Sequence, residues 1–100
     1  MSETWRWIPG YVGSYKISTE GRILSVLNKG KLISPATHKS GQLKVNLRKD
    51  GRTNTHFVAR LVLTTFKGLE NGCLAKHIDD DLTNNHLDNL KWELKKKTDG

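Results

Sequence analysis

The sequence predicts an α+β domain: a small antiparallel sheet with one packed helix, followed by a β-hairpin unit. Three observations predict it. Leu43, Val45 and Leu47 alternate with Lys44, Asn46 and Arg48 and run into Asp50-Gly51, a strong hairpin turn. Apolar residues at Val58, Leu61, Val62 and Phe66 then change the period from two to that of a helix. Further on, a histidine, His77, stands next to acidic residues, then comes a polar turn, then Asn89-Leu90 closing onto Trp92.

Taken in order, residues 5–25 (WRWIPGYVGSYKISTEGRILS) are punctuated by Gly10, Gly13 and Gly21. Tyr15–Ser18 and Arg22–Ser25 alternate as strands do, and Thr19-Glu20-Gly21 between them reads as a turn. Residues 26–41 read as loop, with Asn-Lys-Gly-Lys turning the chain between Leu27 and Leu32. The hairpin follows, and its return strand Thr53–Val58 is rich in β-branched and aromatic residues. The helix over Val58–Phe66 is closed by Lys67-Gly68.

A chain of 100 residues has room for one compact domain, with a basic platform over 1–67 and a smaller unit over 68–100 sharing a core. No apolar run approaches the roughly 18 residues of a membrane span. The N-terminus lacks the pattern of a signal peptide. One cysteine, Cys73, forms neither an internal disulfide nor a thiolate zinc site. These features place the chain in the cytoplasm.

The net charge is +7, unevenly spread. Residues 1–67 carry 12 of the 17 Lys and Arg and three acids, +9; residues 68–100 carry five Lys and seven acids, −2. A basic portion joined to an acid-containing one suits a polyanion-binding platform that presents a separate site. The plainer reading is a solubilising surface, and charge alone does not separate the two. On the hairpin, Lys44, Arg48, Lys49 and Arg52 are expected on one outward surface and around the turn, with Asn46 between them. A ribbon of this kind fits a major groove, its cations meeting phosphates or guanine edges.

Residues 76–92, KHIDDDLTNNHLDNLKW, hold His77, Asp79, Asn84, Asn85, Asn89, Leu90 and Trp92 at the spacing H-x-D-G-x-x-x-N-N-x-x-x-N-L-x-W. This resembles the core of phage-type HNH homing endonucleases. The N-terminal segment resembles the nuclease-associated modular DNA-binding motif that precedes that core, close to W-x-x-I-x-G-Y-x-G-x-Y-x-V-S-x-x-G-x-V-x-S. Trp5, Ile8, Gly10, Tyr11, Gly13, Tyr15, Ser18, Gly21 and Ser25 match it, with Ile17 and Ile23 in place of valines.

The resemblance implies a ββα unit that nicks double-stranded DNA. It casts His77 as general base, Asn89 as the residue that fixes the loop, and Asp79 with Asn84 and Asn85 as the turn. It also implies Mg²⁺ or Mn²⁺ absorbing charge on the phosphate and leaving oxygen, and adds Arg22 and Arg60 to the DNA-binding side chains.

Three positions depart from the family pattern. Ala59 replaces a histidine at the helix start. Lys76 stands where the family places an Asp or Asn metal ligand, and an ammonium has no lone pair to donate. The second ligand falls near Thr98, on a final helix that the ending ELKKKTDG leaves short. No metal ligand is therefore assigned. The second reading is an HNH-derived binding module without chemistry, acting as a regulator or inhibitor of a host nucleic-acid enzyme through a protein partner.

Other readings of the same residues are weaker. Asp79, Asp80 and Asp81 resemble the start of a calcium loop but lack its glycine and bidentate Glu. His77 and His86 have no further ligand-rich pair for zinc. The plain alternative for His77 is a structural residue, and for Lys95-Lys96-Lys97 a basic tail.

Overall fold

The strongest local signal builds the central hairpin. Val45 and Leu47 are buried while Asn46 and Arg48 are exposed, so one side of the strand Leu43–Lys49 is dry and the other wet. Its partner strand Arg52–Phe57 pairs antiparallel from Lys44↔Phe57 to Lys49↔Arg52. Asp50 and Gly51 connect them with φ values of 52° and 75°. Two consecutive left-handed residues make the tight turn whose twist matches the strands.

In this computed structural model residues 3–27 and 29–95 are described. Strands β1 (Trp5–Trp7), β2 (Tyr15–Ser18), β3 (Ile23–Ser25) and β4 (Lys31–Ile33) form an antiparallel meander in chain order. Strands β5 (Ala36–Thr37), β6 (Leu43–Lys49) and β7 (Arg52–Phe57) form a second sheet, in the order β5-β6-β7. Helix α1 (Val58–Lys67) follows, then β8 (Cys73–His77) paired with β9 (Leu90–Leu94) across a long loop ending in a 3₁₀ turn, Leu87–Asn89.

The strands ahead of the helix thus form two antiparallel sheets, and one expectation is corrected: residues 26–41 contain β4 and β5 rather than only loop. These strands have three and two residues, too short for a period of two to show in sequence. They form because neighbours recruit them: Leu24 faces Leu32, and Ala36 faces Lys44. The final helix of the ββα unit and Thr98 lie outside the described residues.

Helix α1 is the hub. Its residues meet strands of all three sheets. Val58, Ala59, Leu61, Val62 and Leu63 are buried in one cluster with Ile8, Ile17 and Ile23 of the meander, Val45 and Leu47 of the hairpin, and Leu90 of β9. Ala59, which replaces the family histidine, is therefore a core residue. The helix ends where Gly68 N–H returns to Thr64 O, and Gly68 O in turn accepts the indole N–H of Trp92 at 2.9 Å. That bond pins β9 to the helix end. Among the described residues no helix is long and apolar enough to cross a membrane.

Candidate active site and nucleic-acid interface

His77 is the last residue of β8. Alternation along that strand turns Cys73, Ala75 and His77 toward α1 and leaves Leu74 and Lys76 on the opposite face. His77 is 4% exposed, and its Nε2 lies 2.8 Å from Oδ1 of Asn85, itself buried. A carbonyl oxygen can only accept, so Nε2 carries the proton and the lone pair sits on Nδ1. Nδ1 has no hydrogen bond among the described residues. The ring thus offers a single tautomer whose basic nitrogen has no partner among the described residues.

The loop from Ile78 to Asn89 is held by amide and carboxylate side chains. Asp79 Oδ1 accepts from Asp81 N–H at 2.8 Å and Asn89 Nδ2 at 2.9 Å, and its Oδ2 accepts from Asn84 Nδ2 at 2.9 Å. Asn89 also donates to Asn84 O, and its Oδ1 receives Asp79 N–H. Asp81 repeats the device on Thr83. These are turns in which a short polar side chain bonds backbone two residues on. The Asn84 amide, then Asp81 N–H and the Asn89 amide, hold the Asp79 carboxyl below its ordinary pKa. Asp80 takes φ +63° at the position where the family pattern has glycine.

Asp79 and Asn89 thus shape the loop, and His77 alone of the three presents a free basic atom. Beside it a cleft of about 210 Å³ is lined by residues including Gln42, Lys76, His77, Asp80 and Glu93. Lys76 Nζ lies 3.7 Å from Asp80 Oδ1 and across the hairpin from Lys91. Among the described residues no three His, Cys, Asp or Glu side chains converge to hold a metal ion. Asp79 has both oxygens engaged and Lys76 has no lone pair, so the described residues do not fit a divalent ion. His86 Nδ1 accepts from Asp88 N–H and so is already engaged.

The basic side chains expected to bind DNA divide. Lys44, Asn46 and Arg48 share the outer face of β6, with Asn46 Oδ1 accepting the Thr55 hydroxyl at 2.6 Å. Lys49 and Arg52 face each other across the ladder, on the opposite side and beyond the core. The expected single surface is therefore two, because consecutive strand residues point to opposite faces. Arg22 forks onto the Glu3 carboxylate and stands over the Trp5 ring, and this ion pair holds the Glu3 carboxyl down to about 2. Arg60 stands over Trp92, 5.6 Å from the ring centre. Neither Arg22 nor Arg60 joins the outer face of β6.

The meander and the hairpin meet through residues that the sequence did not single out as a pair. Tyr15 O–H accepts Arg48 N–H at 3.1 Å, and the Tyr11 hydroxyl pairs with His56 Nε2 at 2.9 Å, joining the meander to the hairpin. Burial, with a contribution from the Arg60 charge, lowers the His56 pKa. Ser18, fully buried, accepts Glu20 N–H and Arg22 N–H and so shapes the turn before Gly21. The bond from His77 to Asn85 had one signal in sequence, the adjacent Asn84-Asn85 at fixed distance from the histidine.

The family described as "NUMOD4 motif" matches residues 3–48. The DNA endonuclease I-HmuI of Bacillus phage SP01 is 36% identical over 93 residues, which cover 92% of this chain and 53% of the relative. A solved structure, described as DNA binding and cleavage by the HNH homing endonuclease I-HmuI, aligns with a TM-score of 0.84 at 35% identity, over 91% of this chain and 52% of that one. Together these matches support a place in the phage HNH endonuclease family. The chain spans about half the length of the relatives it matches. Its α+β fold is that of the aligned HNH endonuclease region.

Proposed function

We propose that this chain binds double-stranded DNA through Lys44 and Arg48 on the outer face of β6 and presents a phosphodiester to His77. Nδ1 of His77 takes a proton from water, the water oxygen bonds to phosphorus, and the P–O3′ bond breaks, the 3′ oxyanion taking a proton from solvent water. The observation that carries this reading is the His77–Asn85 bond, which consumes Nε2 and leaves one basic nitrogen unoccupied. Lys76 lines the same cleft and supplies a positive charge for a phosphate oxygen. The relative I-HmuI, by name a DNA endonuclease, supports DNA as the substrate class.

A specific observation favours a second reading, a binding module without chemistry that regulates or inhibits a host nucleic-acid enzyme. Lys76 pairs with Asp80 where the family places a metal ligand, and the described residues assemble no ligand set. A supercoiled-plasmid nicking assay in Mg²⁺ or Mn²⁺, with a gel shift on the same samples, separates the readings. Nicking by the wild type that His77→Ala abolishes, with binding retained, supports the first. Binding without nicking in both proteins supports the second, and a pull-down from host extract then seeks its protein partner.

A further inference from the structure

The N-terminal meander and the histidine are joined through one side chain. A Cβ added to Gly21 would stand 2.8 Å from the Asn85 Cβ and 3.0 Å from the Asn85 carbonyl oxygen, so the turn and the loop meet backbone to backbone. Gly21 also has φ +82°, a conformation that L side chains rarely adopt. One turn further on, Leu87 N–H donates to Thr19 O at 2.7 Å. The turn thus packs directly on Asn85, which is 5% exposed.

We propose that Asn85 is the positioning residue of His77, and that the turn Thr19–Gly21 is the seat that holds Asn85 in place. The inference rests on His77 being the base. A neutral imidazole has two tautomers that put the basic lone pair on different nitrogens. Asn85 Oδ1, fixed within hydrogen-bond distance of Nε2, selects the tautomer with Nδ1 basic. A misplaced Asn85 frees the ring to rotate and to exchange tautomers. The sheet that precedes the basic hairpin thereby forms one assembly with the reacting nitrogen, and Gly21 serves catalysis without touching substrate.

The test is ¹⁵N NMR of the His77 imidazole in the full chain, for wild type, Asn85→Ala, Asn85→Asp and Gly21→Ala, with plasmid nicking measured in parallel. Wild type should show Nε2 protonated and Nδ1 bare. Asn85→Ala should show mixed tautomers, and Asn85→Asp, which keeps the acceptor oxygen, should restore a protonated Nε2. Nicking should fall roughly 10- to 100-fold in kcat for Asn85→Ala with KM little changed. Gly21→Ala should move in the same direction; should it fail to fold by circular dichroism, Asn85→Ala decides alone. An unchanged tautomer in Asn85→Ala overturns the proposal. A tautomer that shifts as expected in a wild type that does not nick supports the pairing and refutes the catalytic reading beneath it.

Discussion

Asp79 and Asn89 hold each other by both ends: Asp79 N–H donates to Asn89 Oδ1 at 3.1 Å, and Asn89 Nδ2 donates to Asp79 Oδ1 at 2.9 Å. The pair closes the loop at its two stems, since Asn89 O also accepts Ile78 N–H beside the β8–β9 register. Asn89→Ala leaves the Asp79 carboxylate and the Asn84 carbonyl short of a donor each. Urea denaturation should show a loss of roughly 1–3 kcal/mol. Because the loop carries Asn85, the variant should also lose nicking wherever the wild type shows it. An unchanged midpoint with normal nicking would remove Asn89 from the framework.

Acid should loosen the N-terminal edge. Arg22, by its hydrogen bonds first, holds Glu3 at about 2 against an ordinary value of 4.5. A carboxyl depressed in the folded state contributes stability above its unfolded pKa, and that stability is lost as pH falls from about 4.5 toward about 2. The lowered Asp79 acts in the same sense. Melting temperatures of wild type and Glu3→Gln should therefore differ at neutral pH, with the wild type higher, and converge by about pH 2. Parallel curves over that range would show that the ion pair carries no pH-dependent stability.

Much of this fold was legible because local and global preferences agree. The Asp50-Gly51 turn, the alternation of β6 and the apolar stripe of α1 each suit the core they join, and the structure keeps all three. Strands β4 and β5 were illegible, since two or three residues carry no period and owe their form to partners in β3 and β6. The site divides in the same way. Family spacing singled out His77 and the loop residues, whereas the Gly21–Asn85 approach joins residues 64 positions apart and leaves no pattern in sequence. Leu63, fully buried, was outside the expected stripe because α1 is covered on more than one side.

The division of the basic residues separates two interfaces that a single triple substitution would merge. If the outer face of β6 tracks the duplex, Lys44→Ala with Arg48→Ala should lower the slope of log affinity against log salt by about 0.9 for each phosphate no longer neutralised. Lys49→Ala with Arg52→Ala, on the opposite side, should leave that slope nearly unchanged. The reverse pattern would assign DNA to the turn and the hollow formed by Gly10, Tyr11, Val12, Ser14 and Lys49. Equal effects would show the duplex running across the hairpin tip.

Thr65 offers a way to raise stability without touching the site. Its hydroxyl oxygen is buried and has no hydrogen-bond partner among the described residues, although it sits near the end of α1. An unpaired buried hydroxyl costs roughly 1–3 kcal/mol of desolvation, and valine matches threonine in shape and closely in helix propensity. Thr65→Val should therefore stabilise the chain by about 1 kcal/mol in urea denaturation, the smaller figure allowing for local relaxation of the threonine. His77 imidazole signals and DNA affinity should stay at wild-type values, because α1 would keep its packing against β8. A destabilised Thr65→Val would show that the hydroxyl is bonded in solution, with water or a shifted rotamer satisfying it.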